Sequence, residues 1–122
     1  MQLRSAYGLA ALLLGAALGL SPFSAFAHAI VVAASPSPNA QVKAPDVPIQ
    51  LRFNSRIDHE RSRVSLLRAD GRAETVALET SAPDTLAGKL QGLPPGKYRL
   101  RWQVLAVDGH ITRGDIPFVV VP

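Results

Sequence analysis

The chain has 122 residues, a formal net charge of +4 and no cysteine. That length holds one domain. The lack of thiols excludes a disulfide scaffold, a Cys-based zinc site, an iron–sulfur cluster, a blue-copper centre and a thiol nucleophile.

Residues 1–27 read as a secretory signal peptide. Arg4 and the free amine give a positive start. Gly8 to Leu20 is an uninterrupted stretch of 13 apolar and small residues. A membrane span needs about 20 apolar residues, so this stretch is too short. Pro22 breaks a helix, and Ala25-Phe26-Ala27 places small residues at a cleavage site. Cleavage after Ala27 makes His28 the first residue of a domain covering 28–122. That domain holds 12 basic and 9 acidic residues, scattered along the chain. Neither a clustered stripe nor a recognition motif for nucleic acid is present. After removal of the signal, no hydrophobic segment remains to hold the chain in a membrane.

The rest reads as β structure throughout. His28–Ala34 is a first strand, ended by Ser35-Pro36-Ser37-Pro38-Asn39. In Ile49–Phe53, Ile49, Leu51 and Phe53 share a face. Arg63–Arg68 and Ala73–Leu78 flank Asp70-Gly71, a hairpin signal because glycine tolerates positive φ. Thr85–Leu90 is a weaker strand, and Leu93-Pro94-Pro95-Gly96 is a turn. In Lys97–Val104, Tyr98, Leu100, Trp102 and Val104 alternate with Lys97, Arg99, Arg101 and Gln103. The basic row reads as a solvated strand face. Ile116, Phe118 and Val120 form the inward side of a last strand. About seven strands without a strong helix predict an Ig-like, Greek-key β-sandwich or barrel with antiparallel layers.

Three histidines follow the signal: His28, His59 and His110. At a processed N-terminus, His28 offers an α-amine and a ring Nδ1 that can close a chelate on one metal ion. In an extended Asp108-Gly109-His110, residues i and i+2 face the same way, so Asp108 and His110 can reach one ion. The same three residues also read as a plain Asp-Gly turn. Two imidazoles, an amine and a carboxylate suit Cu(II), and zinc is compatible with the same donors. His59, within Asp58-His59-Glu60, reads as a residue of an exposed charged loop ahead of a second reading as an auxiliary ligand. The only methionine is Met1, so residues 28–122 offer neither thiolate nor thioether.

At this point a resemblance emerges. His28-Ala29 after the signal, Ser35-Pro36 with Pro38-Asn39-Ala40, and Ile49-Gln50-Leu51-Arg52-Phe53-Asn54 are its first marks. Gly96 to Val104, then Val107 into Asp108-Gly109-His110, and Gly114 to Val119 complete it. In order and spacing the chain resembles the CopC family of periplasmic copper-binding proteins over nearly all of 28–122. The resemblance implies a Greek-key barrel with a Cu(II) site formed by the N-terminal His and the Asp-x-His segment. Carried onto this chain, those ligands are His28, Asp108 and His110. It also implies the Cu(II)-only type, since no methionines remain for a Cu(I) site. Where some members carry a glutamate near copper, this chain has Ser55.

The expected function is that of an exported Cu(II) carrier or buffer, one ion per chain, without catalysis. The partner implied by the resemblance is an inner-membrane copper transporter of the CopD-like type. Two other readings stand beside it. One is a small copper oxygenase, because an N-terminal His chelate with a second His resembles lytic polysaccharide monooxygenases. The other is a metal-free Ig-like adhesion or assembly module.

Overall fold

A computed structural model of the chain describes residues 29–43 and 45–122. The expected signal peptide and His28 therefore lie outside the described residues. Among the described residues there are nine strands and no helix. In chain order they are β1 (Val31–Ser35), β2 (Ala40–Lys43), β3 (Val47–Phe53), β4 (Ile57–Arg68) and β5 (Ala73–Thr75). They continue with β6 (Leu78–Glu79), β7 (Thr85–Leu90), β8 (Gly96–Ala106) and β9 (Ile111–Val121).

Two sheets form the sandwich. One runs β1-β3-β7-β6 and the other β2-β9-β8-β4-β5. Alternation along the strands explains the layering. In β3, Val47, Ile49, Leu51 and Phe53 are buried while the residues between them are exposed. In β8, Tyr98, Leu100, Trp102, Val104 and Ala106 are buried from the opposite sheet. Val64 and Leu66 of β4, Leu86 of β7 and Phe118 of β9 complete the centre. Phe53 meets Trp102 edge to face with centroids 5.3 Å apart, which joins the two layers.

Trp102 lies opposite Gly114 in the β8–β9 ladder. A Cβ on Gly114 would sit 2.5 Å from the indole Cζ2, so the ring packs directly against the bare backbone of β9. Tyr98 stacks on Phe118 and its hydroxyl donates to the Pro94 carbonyl at 2.6 Å. Both aromatics thus support the core, as their alternation suggests.

The strands differ from the sequence reading in four places. The first begins at Val31 rather than His28. The expected single strand Ala73–Leu78 divides into β5 and β6, one in each sheet, and β2 is too short to show a period in the sequence. β2 pairs parallel to β9, so the sandwich is not wholly antiparallel. Finally, β4 extends back to Ile57 and takes in Asp58-His59-Glu60. A register irregularity between Asp58 and Arg63 hides the alternation there. Ser62, buried within it, accepts the Leu105 amide at 3.1 Å.

Candidate metal centre

β8 and β9 are joined at one end of the sandwich by Val107-Asp108-Gly109-His110. The Ala106 amide donates to the His110 carbonyl at 2.8 Å, and the Gly109 amide donates to the Ala106 carbonyl at 2.9 Å. Gly109 has φ of +91°, a conformation that costs a side chain-bearing residue strain. Asp108 shapes the turn with its own carboxylate. Its Oδ1 accepts the His110 amide at 3.0 Å, an Asx turn. Its Oδ2 lies 3.1 Å from His110 Nδ1. The two side chains are therefore side by side. The reason is the turn, not the extended i, i+2 arrangement expected from sequence. The Asp-Gly turn and the juxtaposed donor pair are one structure.

Two neighbouring segments are tied to this end. The Val107 amide donates to the Arg56 carbonyl at 3.3 Å, which links the hairpin loop to the start of β4. The N-terminal segment is held more firmly. Ala29 is 1% exposed, and its carbonyl accepts the Thr112 hydroxyl at 2.8 Å. The Ile30 amide donates to Asn54 Oδ1 at 2.8 Å, and the Asn54 amide returns to the Ile30 carbonyl at 3.0 Å. Ala29 is thus fixed beside Thr112, two residues along β9 from His110.

Sequence reasoning named Asp108 and His110, and the structure brings them together. It missed the anchoring roles of Thr112 and Asn54. Nothing in the sequence marks Thr112, whose partner is 83 positions away. Asn54 is visible only as part of the Ile49-to-Asn54 run. His28 lies outside the described residues. Ser55, next to Asn54, has a buried hydroxyl without a hydrogen-bond partner.

His59 stands apart from the pair. It is part-buried, and its Nε2 donates to the Thr85 carbonyl at 2.8 Å, with Ser81 Oγ 3.4 Å away. The expectation of an exposed loop residue is corrected: His59 ties β4 to β7 across the sandwich. Among the described residues, no group of three His, Asp or Glu side chains could hold a metal by itself. An imidazole and a carboxylate suit a borderline divalent ion such as Cu(II) or Zn(II), and further donors must complete its shell.

The architecture defines a class first: a small Ig-like β-sandwich whose N-terminal segment is pinned beside an Asp-Gly-His hairpin. The model of the CopC domain family matches residues 31–121, and the chain belongs to that family. Copper resistance protein C of Xanthomonas campestris pv. juglandis is 32% identical over 113 residues, covering 85% of this chain and 88% of the relative. The copper transport protein CutJ of Bacillus subtilis is 29% identical over 103 residues; the match covers 81% of this chain but only 19% of CutJ. Among solved structures, CopC from Methylosinus trichosporium OB3b superposes with a TM-score of 0.70 at 32% identity. That match covers 78% of this chain and 95% of the other.

Proposed function

We propose that this protein is a periplasmic Cu(II) carrier or buffer, exported by a signal peptide cleaved after Ala27. The observation that carries the reading is the Thr112–Ala29 hydrogen bond beside the Asp108–His110 pair. It fixes the start of the domain next to the two donors. In the reading, His28 supplies its α-amine and ring Nδ1, and His110 supplies a third nitrogen. Asp108 supplies an oxygen contact or holds the His110 ring by the contact already described. This nitrogen-rich set favours copper over zinc by the Irving–Williams order. Membership of the CopC family and the copper-named relatives support the metal.

The protein's own residues do three things in this mechanism. The turn presets His110 against Asp108. Thr112 and Asn54 hold the N-terminal segment, so less ordering is needed when the ion arrives. The side chains of His110 and Asp108 stay 44% and 34% exposed. That would leave a held ion reachable by a receiving partner, which we take to be a membrane copper transporter. We read the role as non-catalytic, in line with the family.

The test is a Cu(II) titration of residues 28–122 followed by electron paramagnetic resonance. The reading requires one ion per chain with a nitrogen-rich signal. An added glycine before His28 moves the free amine out of the chelate and must weaken binding strongly. Unchanged affinity in that variant would remove the central argument. Oxygen uptake with reductant and polysaccharide above that of free copper would favour the oxygenase reading instead.

A further inference from the structure

The outer face of the second sheet gathers the domain's charge. Pairing of β4, β8 and β9 aligns three rows: Arg63–Gln103–Arg113, Ser65–Arg101–Asp115 and Leu67–Arg99–Pro117. Lys97 follows, opposite Val119. All alternate with core residues, so they share the side turned away from the first sheet. Lys43 at the end of β2, opposite Val121, joins them, so six bases stand on this face with two acids, Asp115 among them and Asp58 opposite Leu105. The remainder of residues 28–122 carries six basic and seven acidic residues. The positive excess, which composition shows as scattered, therefore sits on one face. The opposite sheet has Arg52 and Lys89 on its exposed positions, with Glu79 nearby.

Asp115 does not hide these bases. It accepts Arg101 Nε at 2.9 Å and Nη2 at 3.0 Å, with Arg99 3.6 Å away. The side chains of Arg99 and Arg101 remain 59% and 55% exposed. Toward the hairpin the next row is Leu105 with Ile111, with Asp58 at its β4 end. Ile111 is 55% exposed, and Val107 in the loop is 68% exposed. The basic face thus ends in an exposed aliphatic tip.

We infer that this face docks on an anionic bilayer surface. Lipid phosphates lie over the arginine rows, and Val107 and Ile111 enter the headgroup layer. A bilayer supplies both chemistries at once, negative charge and an apolar boundary. An acidic protein would account for the bases but leave the aliphatic tip unexplained. The inference stands apart from the metal reading, because none of the bases belongs to the donor pair. Its consequence for that reading is spatial: the Asp108-Gly109-His110 hairpin is carried to the membrane plane.

The experiment uses residues 28–122, which contain all nine strands and the whole described core. Residues 1–27 are left off because their apolar stretch would bind lipid by itself. Vesicles of equal parts phosphatidylcholine and phosphatidylglycerol are compared with pure phosphatidylcholine by co-sedimentation. Binding is expected only with the anionic lipid, and salt is expected to weaken it. R63Q/R99Q/R113Q should weaken it about a hundredfold, and R52Q/K89Q on the other sheet much less. Asp115→Asn removes the acid that pairs with Arg99 and Arg101 and should tighten binding severalfold in samples whose circular dichroism shows them folded. V107S/I111S should weaken the anionic binding while leaving its salt dependence. Equal binding to both vesicles, or an unaffected triple variant, would overturn the inference. Capture of polyglutamate without vesicle binding would overturn it too, and would assign the face to an acidic polypeptide.

Discussion

The hydroxyl of Thr112 donates to the carbonyl of Ala29 at 2.8 Å, across 83 positions of sequence. It joins the first described residue of the domain to its last strand, two residues from His110. With Ala29 buried, the bond satisfies a carbonyl that has little access to water.

Replacing Thr112 with valine keeps the shape and removes the donor. The expected cost is about 1–2 kcal/mol of stability, since a buried carbonyl loses its partner. Cu(II) affinity should also fall, because the N-terminal segment is no longer held beside the hairpin. Asn54→Ala should act in the same direction through Ile30. Urea unfolding and copper titration of the same samples measure both effects. A stability loss with full affinity would show that the anchor serves the fold alone.

Two glycines should respond to alanine for different reasons. Nothing lies within 4 Å of a Cβ built on Gly109, so its cost is backbone strain alone, about 1 kcal/mol. Asparagine there should cost less, because it tolerates positive φ. Gly114→Ala meets the Trp102 ring at 2.5 Å and must displace it, costing about 1–3 kcal/mol. The Gly114 variant should change the near-ultraviolet signal of the single tryptophan, and the Gly109 variant should leave it nearly intact.

The acid limb of the stability curve should depend on Asp115. The two hydrogen bonds from Arg101, with Arg99 adding to them, hold its carboxyl below the ordinary value, against a smaller opposing effect of burial. A depressed carboxylate stabilises the fold above its unfolded pKa. That contribution disappears as pH falls through the lower folded value. Asp115→Asn should therefore unfold more easily than the parent at neutral pH, and the difference should vanish in strong acid. The pair is partly exposed, so the gap should not exceed about 1 kcal/mol. A gap that widened in acid would contradict the assignment.

Much of this fold was readable because its central strands alternate cleanly. Ile49 to Phe53 and Tyr98 to Val104 each put one face in the core, and each appears as a period of two. The ends of the strands were not readable, for physical reasons. At Asp58–Arg63 an irregular register removes the period, so a part-buried His59 resembles a loop residue. β2 and β6 are held by their neighbours' ladders rather than by any pattern of their own. The closeness of Asp108 and His110 was legible as a motif because a short turn brings them together. Thr112 and Asn54 were not, since their partners are chosen by the fold and not by local spacing. The basic face was seen as alternation on one strand. Its asymmetry appears only when β4 and β9 place Arg63 and Arg113 beside it.

The choice between oxidation states follows from composition. With no cysteine, and no methionine after Met1, residues 28–122 cannot offer copper a sulfur donor. Soft Cu(I) favours sulfur, while imidazole, amine and carboxylate favour Cu(II). On the proposed donor set the domain should hold Cu(II) tightly and Cu(I) poorly. Reduction would then act as a release step toward a sulfur-rich acceptor. The check is a pair of competition titrations on residues 28–122, one with Cu(II) and one with Cu(I) under anaerobic conditions. His110→Ala should weaken the Cu(II) result and alter its nitrogen hyperfine pattern. Asp108→Asn should do less harm, because the amide keeps an oxygen donor but loses the charge. His59→Ala should leave the spectrum unchanged, because its ring is turned to Thr85. Tight retention of Cu(I) against a moderate chelator would rule out reductive release. The protein would then serve as a store that keeps copper through a change of redox state.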